Sequence, residues 1–159
     1  MKVSKLLYVL LFTSTVVLAD SPIRPNPALT PGVVNPQATK NVICQPNYTA
    51  GVDAQGNKVR DVPDSLKQKV FDLYNVDRTS DNFEVDHLIS LELGGANDIK
   101  NLWPQSYTTQ PYNAHKKDDL ENKLKASICA GTISQSDAQK AIASDWISAY
   151  QKYVAPYKK

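Results

Sequence analysis

The chain has 159 residues, which fits one domain plus a segment removed from it or lying beside it. Its 18 basic and 16 acidic residues nearly balance, and a near-neutral total argues against a general polyanion binder while leaving room for a local basic face. Two cysteines alone make a poor metal site, which sets a zinc finger aside.

Residues 1–19 read as a signal peptide for secretion. Lys2 and Lys5 form a charged start, Leu6 to Leu18 is a short apolar run, and Val17-Leu18-Ala19 supplies small residues for cleavage before Asp20. The run is short for a membrane anchor, so a secreted or periplasmic product is expected, with no stable membrane insertion after cleavage. An uncleaved N-terminal anchor is the rival reading. Cleavage removes two of the 18 basic residues and leaves 16 against 16 acidic ones. In an exported chain Cys44 and Cys129 are expected to form a disulfide, the alternative being two free buried thiols. The bridge would close a loop of roughly 85 residues and add on the order of 4 kcal/mol in the chain-entropy account.

Residues 20–40 form a Pro-rich extended leader. Pro22, Pro25, Pro27, Pro31 and Pro36 break any helix and remove backbone donors, so this segment is a linker or an arm lying on the domain. Residues 41–159 carry the folded domain. Tyr48 to Val52 and Lys58 to Val62 flank a Gln55-Gly56-Asn57 turn signal and predict a β-hairpin. Asp64-Ser65 after Pro63 starts a helix whose apolar stripe is Leu66, Val70, Phe71 and Leu73-Tyr74.

Phe83 and Val85 alternate with Glu84 and Asp86, a strand of period two. A Gly94-Gly95 loop follows, and Asn101 to Pro104 reads as a second short strand stopped by the proline. From about His115 to Ile128 a helix is expected, because Leu120, Leu124 and Ile128 recur at four-residue spacing and Gly131 ends it. A last helix starts at Ser134, with Asp137 in its first turn and Ala138, Ala141, Ile142, Ile147 and Tyr150 on its apolar face. The fold class is therefore α+β, with strand, glycine loop, strand and helix in sequence.

Polar residues gather at those junctions. Phosphodiester hydrolysis needs a base to take a proton from water, positive charge on the phosphate, and support for the departing oxygen. A neutral imidazole suits the first task and a divalent ion the other two. Adjacent strand residues point to opposite faces, so Asp86 and His87 share one site only if the strand ends between them.

Asp86-His87, Gly94-Gly95 and Asn101-Leu102-Trp103-Pro104 in this register resemble the core of the HNH nuclease family, a ββα-metal fold. His87 and Asn101 lie fourteen residues apart, similar to the family's spacing. The pattern is closer to a subgroup of exported bacterial HNH-like proteins, through "EVDHLISLELGG", "NLWPQ", "AHKKDDLENKL" and a Cys-Ala-Gly. The resemblance spans about Cys44 to Tyr150. It implies an HNH-like ββα-metal core, to which the expected N-terminal β-hairpin and additional C-terminal helices would be added. It implies His87 as general base, Asn101 as the residue that bonds across the loop and orients it, and Asp86 as a metal ligand. The family's further ligand position falls on Gln110 before Pro111, a departure that leaves His115, with Asn113 as the alternative.

The implied cofactor is one divalent ion, Mg²⁺ or Mn²⁺. The implied partner is a nucleic acid substrate, DNA with RNA as the alternative. Lys116 and Lys117 are candidate phosphate ligands or members of a solvated helix face, and Lys123 and Lys125 belong to that face. Trp103 is expected in the core rather than stacked on a base. Glu84 faces solvent or braces the site. Two other readings stand beside the nuclease: an HNH-like binding module without chemistry, and a secreted toxin or effector, for which an immunity protein would be expected.

Overall fold

The computed structural model describes residues 23–79 and 82–155, so the signal-like segment 1–19 lies outside the described residues. Six regular elements follow in order: α1 (Lys40–Ile43), α2 (Asp64–Tyr74), β1 (Phe83–His87), β2 (Leu102–Ser106), α3 (Ala114–Ala130) and α4 (Gln135–Tyr153). The class is α+β. Strands β1 and β2 form an antiparallel two-stranded sheet, from Phe83 opposite Ser106 to His87 opposite Leu102.

The sheet departs from the expected bounds at Pro104, which lies inside β2 opposite Val85. The flanking bonds from Leu88 N to Asn101 O and from Tyr107 N to Asn82 O fix the alternation of bonded pairs. Counting inward from them, Pro104 falls on a pair whose backbone nitrogen turns away from β1, so its missing N–H costs no ladder bond. The expected β-hairpin is also corrected. Tyr48–Ala50 is a single 3-10 turn, and one isolated bridge, Val52 to Lys58, is all that pairs. The Asp53 carboxylate accepts from Gln55 N and Asn57 N, closing a compact loop in place of two strands. Val52 stays 62% exposed, so it adds nothing to the buried face that Tyr48 and Val59 supply.

The core lies between α3, α4 and the loop joining the strands. Leu120, Leu124 and Ile128 form one face of α3 and are fully buried against Ala138, Ile142, Trp146 and Ile147 of α4 and Leu93 of the loop. Each such aliphatic side chain stabilises the fold by about 1.5–3 kcal/mol. Gly131, at φ 77°, ends α3. The Ser134 hydroxyl accepts from Asp137 N and starts α4. At Asp145 α4 kinks through extended backbone, and the Asp145 carboxylate accepts from Ile147 N and the Ser148 hydroxyl to restart the turn.

The described part of the leader is an arm tied to the domain along its length. Trp146 Nε1 donates to Ile23 O at 2.9 Å, and Arg24 pairs with Asp145 at 3.1 Å. Thr30 Oγ1 donates to Leu102 O, Gly32 N to Lys100 O, and Asn35 N to Gly94 O. The boundary expected between residues 40 and 41 falls inside α1. Cys44, at the end of α1, is disulfide-bonded to Cys129 on α3, with Cα atoms 5.6 Å apart. Among the described residues no helix is long and apolar enough to cross a membrane.

Candidate active site

The loop between β1 and β2 is closed by one side chain. Asn101 is fully buried; its Oδ1 accepts from Ile89 N at 3.0 Å and Val33 N at 3.3 Å, and its Nδ2 donates to Ile89 O at 3.0 Å and Ala96 O at 2.9 Å. The backbone is packed so tightly here that a Cβ on Gly95 would stand 1.7 Å from Ile89 O. The loop's two strand ends are therefore locked together. His87 sits at one of them.

The His87 ring is 3% exposed, and its Nε2 lies 2.9 Å from Asn97 Oδ1. Asn97 gives its Nδ2 to Val59 O, which orients its oxygen toward the imidazole. Nε2 therefore carries the ring proton, and Nδ1 holds the free lone pair. Burial pushes the ring below the ordinary histidine range; Arg60 and Lys117 add to the drop, and Asn97 and Asp86 oppose it. The ring is thus neutral near pH 7. It lines a cleft of about 600 Å³ that Lys58, Arg60, Lys67 and Arg78 also line, with Asp61 and Glu84 as the acidic members. Four cations against two carboxylates make this the local basic face that the balanced total left open. Arg78 and Lys67 share Asp64, while Lys58 and Arg60 form no ion pair among the described residues.

Asp86 turns the other way. Its Oδ2 accepts from Lys117 Nζ at 2.6 Å, and the same ammonium donates to the His87 carbonyl at 2.7 Å and to Glu121 Oε1. Lys117 is fully buried, which corrects its expected role: it has no surface to offer a phosphate. Burial alone would lower the ammonium, but the Asp86 and Glu121 carboxylates outweigh it and hold it above the lysine range. Burial also raises the Glu121 carboxyl, with Asp86 adding and Lys117 opposing. Beside them Tyr107 donates its hydroxyl to Glu84 at 2.8 Å; burial and that carboxylate push the phenol up to about 12. Glu84, half-buried and held by that hydroxyl, braces the cleft wall, and burial raises its carboxyl.

The expected metal ligands do not assemble. Asn113 is the N-cap of α3, its Oδ1 accepting from Lys116 N. His115 is exposed, its ring 5.6 Å from that of Tyr107. Asp86 is taken by an ammonium. Among the described residues no three His, Cys, Asp or Glu side chains are grouped to hold an ion, so the donor set does not fit the divalent metal that the resemblance implies. Lys116 reaches toward Asp119 and the Tyr150 ring, as the solvated-face reading of that residue expects.

No family model, curated protein or solved structure matches the chain.

Four residues escaped the sequence reading: Arg60, Asn97, Glu121 and, in its actual role, Lys117. The only trace was the i, i+4 pairing of Lys117 with Glu121 on α3, a pattern ordinary on solvated helices. Arg60 stood in the expected hairpin, and nothing local tied it to His87.

Proposed function

We propose that the chain is an exported, HNH-like nuclease that hydrolyses phosphodiester bonds of nucleic acid. The observation that carries this reading is a neutral, buried His87 held by Asn97 in a cleft lined by four cations. Water bound in the cleft gives its proton to the free nitrogen of His87, and its oxygen attacks phosphorus. The ester bond to the leaving sugar oxygen breaks, and that oxygen takes a proton from solvent water, to which His87 later returns its own. Arg60 and Lys58 neutralise the phosphate as charge builds on it, and Lys67 and Arg78 hold the strand alongside. Asn101 keeps the loop, and so His87, in place. No step is assigned to a divalent ion, because Asp86 is engaged by Lys117. The leader-like sequence of residues 1–19 and the disulfide support export.

The test is cleavage of plasmid DNA and of single-stranded RNA by the purified chain. Turnover is expected for wild type and its loss, by about a hundredfold or more, for His87→Ala. Salt-sensitive binding of both polymers without turnover in any buffer would overturn the enzyme and leave a binding groove.

A further inference from the structure

The Lys117 side chain is fully buried and donates to three acceptors: Asp86 Oδ2, the His87 carbonyl and Glu121 Oε1. An ammonium has three donors and no acceptor, so this set is complete. Burying such a trio costs desolvation that the pairing recovers only roughly, and stability alone gives no reason for it. Its position does. The trio stands against the end of β1, on the α3 side, while the His87 ring faces the basic cleft. Lys117 and Glu121 are i and i+4 on α3, and the ammonium pairs with Glu121 on its own helix and with Asp86 on β1. Two carboxylates and one buried positive centre are the charge arrangement of a metal site, with nitrogen at the centre. A divalent ion approaching Asp86 Oδ2 meets a like charge at contact distance in a desolvated place, where repulsion is least screened.

We propose that the Lys117 ammonium is the resident cation of this site, standing between Asp86 and Glu121 in the place of a divalent ion, and that hydrolysis in the cleft runs on protein cations alone. Lys117 is then a positioning residue: through the His87 carbonyl it fixes the backbone that carries the base. The second half of the proposal rests on the nuclease reading; the first half does not.

The experiment strips the purified full chain with EDTA and titrates it with Mn²⁺ and Zn²⁺, followed by calorimetry and thermal melting. Wild type is expected to bind neither ion stoichiometrically and to melt at the same temperature with EDTA or with metal. Lys117→His is expected to gain a site, since an imidazole then joins the two carboxylates; Zn²⁺ at ten times its Kd raises that variant's Tm by about 3–6 °C. A Lys117→His chain that folds and binds no ion overturns the assignment of a metal-like position. If that variant does not fold, the wild-type titration decides: one tight equivalent of metal, lost in Asp86→Asn, overturns the proposal whatever the activity. Hydrolysis that persists in EDTA supports it. Hydrolysis that requires an added ion overturns metal-free chemistry and leaves the nuclease reading standing. No hydrolysis and no bound metal overturns the nuclease reading and leaves the ammonium as the cation of the site.

Discussion

His87 keeps its ring neutral to a lower pH than a free histidine, whose pKa is about 6.5, because protonating it means charging a buried group beside Arg60 and Lys117. The acid limb of hydrolysis is therefore expected below that value. Arg60→Gln removes one of the influences that lower the ring, so its limb moves up in pH; a pH–rate profile of both chains measures this, and an unmoved limb would assign the titration to another group. The linkage has the matching sign. The unfolded ring binds a proton that the folded ring refuses, so stability falls as pH drops through the ordinary histidine value. Asn101 offers a second test. Asn101→Ala leaves Ile89 N, Ile89 O and Ala96 O without their side-chain partner. A loss of about 3–5 kcal/mol is expected in urea denaturation, with the acid limb of any surviving activity unchanged. The Asn101 bridge across the loop was legible only through the resemblance that singled out Asn101. The burial of Lys117 was not: on the sequence it is one lysine in a mixed-charge helix, and only the packing of α3 against β1 selects it.

At the scale of elements, local signals placed the starts of α2, α3 and α4 closely, at Asp64, Ala114 and Gln135, since each carries an apolar stripe and a local start or stop signal. Where pairing depended on distant chain, local signals misled. Where a hairpin was expected between Tyr48 and Val62, a loop closed by Asp53 stands in its place, with Tyr48 and Val59 buried in the core, and β2 runs through Pro104 because the register aims its nitrogen outward. The β1–β2 loop gives the sharpest element-scale prediction. Gly95→Ala puts a Cβ 1.7 Å from Ile89 O, on backbone that Asn101 holds, so the native loop cannot form. The cost is expected above about 4 kcal/mol, against about 1 kcal/mol for Gly56→Ala, which has open space and only its left-handed φ to strain. Paired melting curves of the two variants test this; equal losses would mean that the loop gives way more easily than its packing indicates.

Across the whole molecule the disulfide joins α1 to α3 over a sequence separation of 85. Reduction of the folded chain is expected to remove about 4–5 kcal/mol, read as a lower urea midpoint with reductant than without. The Cys44–Cys129 pairing was legible from an even count in a chain expected to be exported. The basic cleft was not, because Lys58, Arg60, Lys67 and Arg78 come from three separate stretches that only the fold brings round His87. The arm was half legible: its prolines marked an extended segment, and nothing in them said what it would lie on. Its attachment has a consequence for the order of assembly. Ile23 and Arg24 dock on Asp145 and Trp146, residues more than 120 positions later. A chain emerging from a ribosome amino end first has no partner for Ile23 and Arg24 until Asp145 and Trp146 have followed them out. The tip of the arm is thus fastened later than its stretch from Thr30 to Asn35, whose partners Gly94, Lys100 and Leu102 are made before α4.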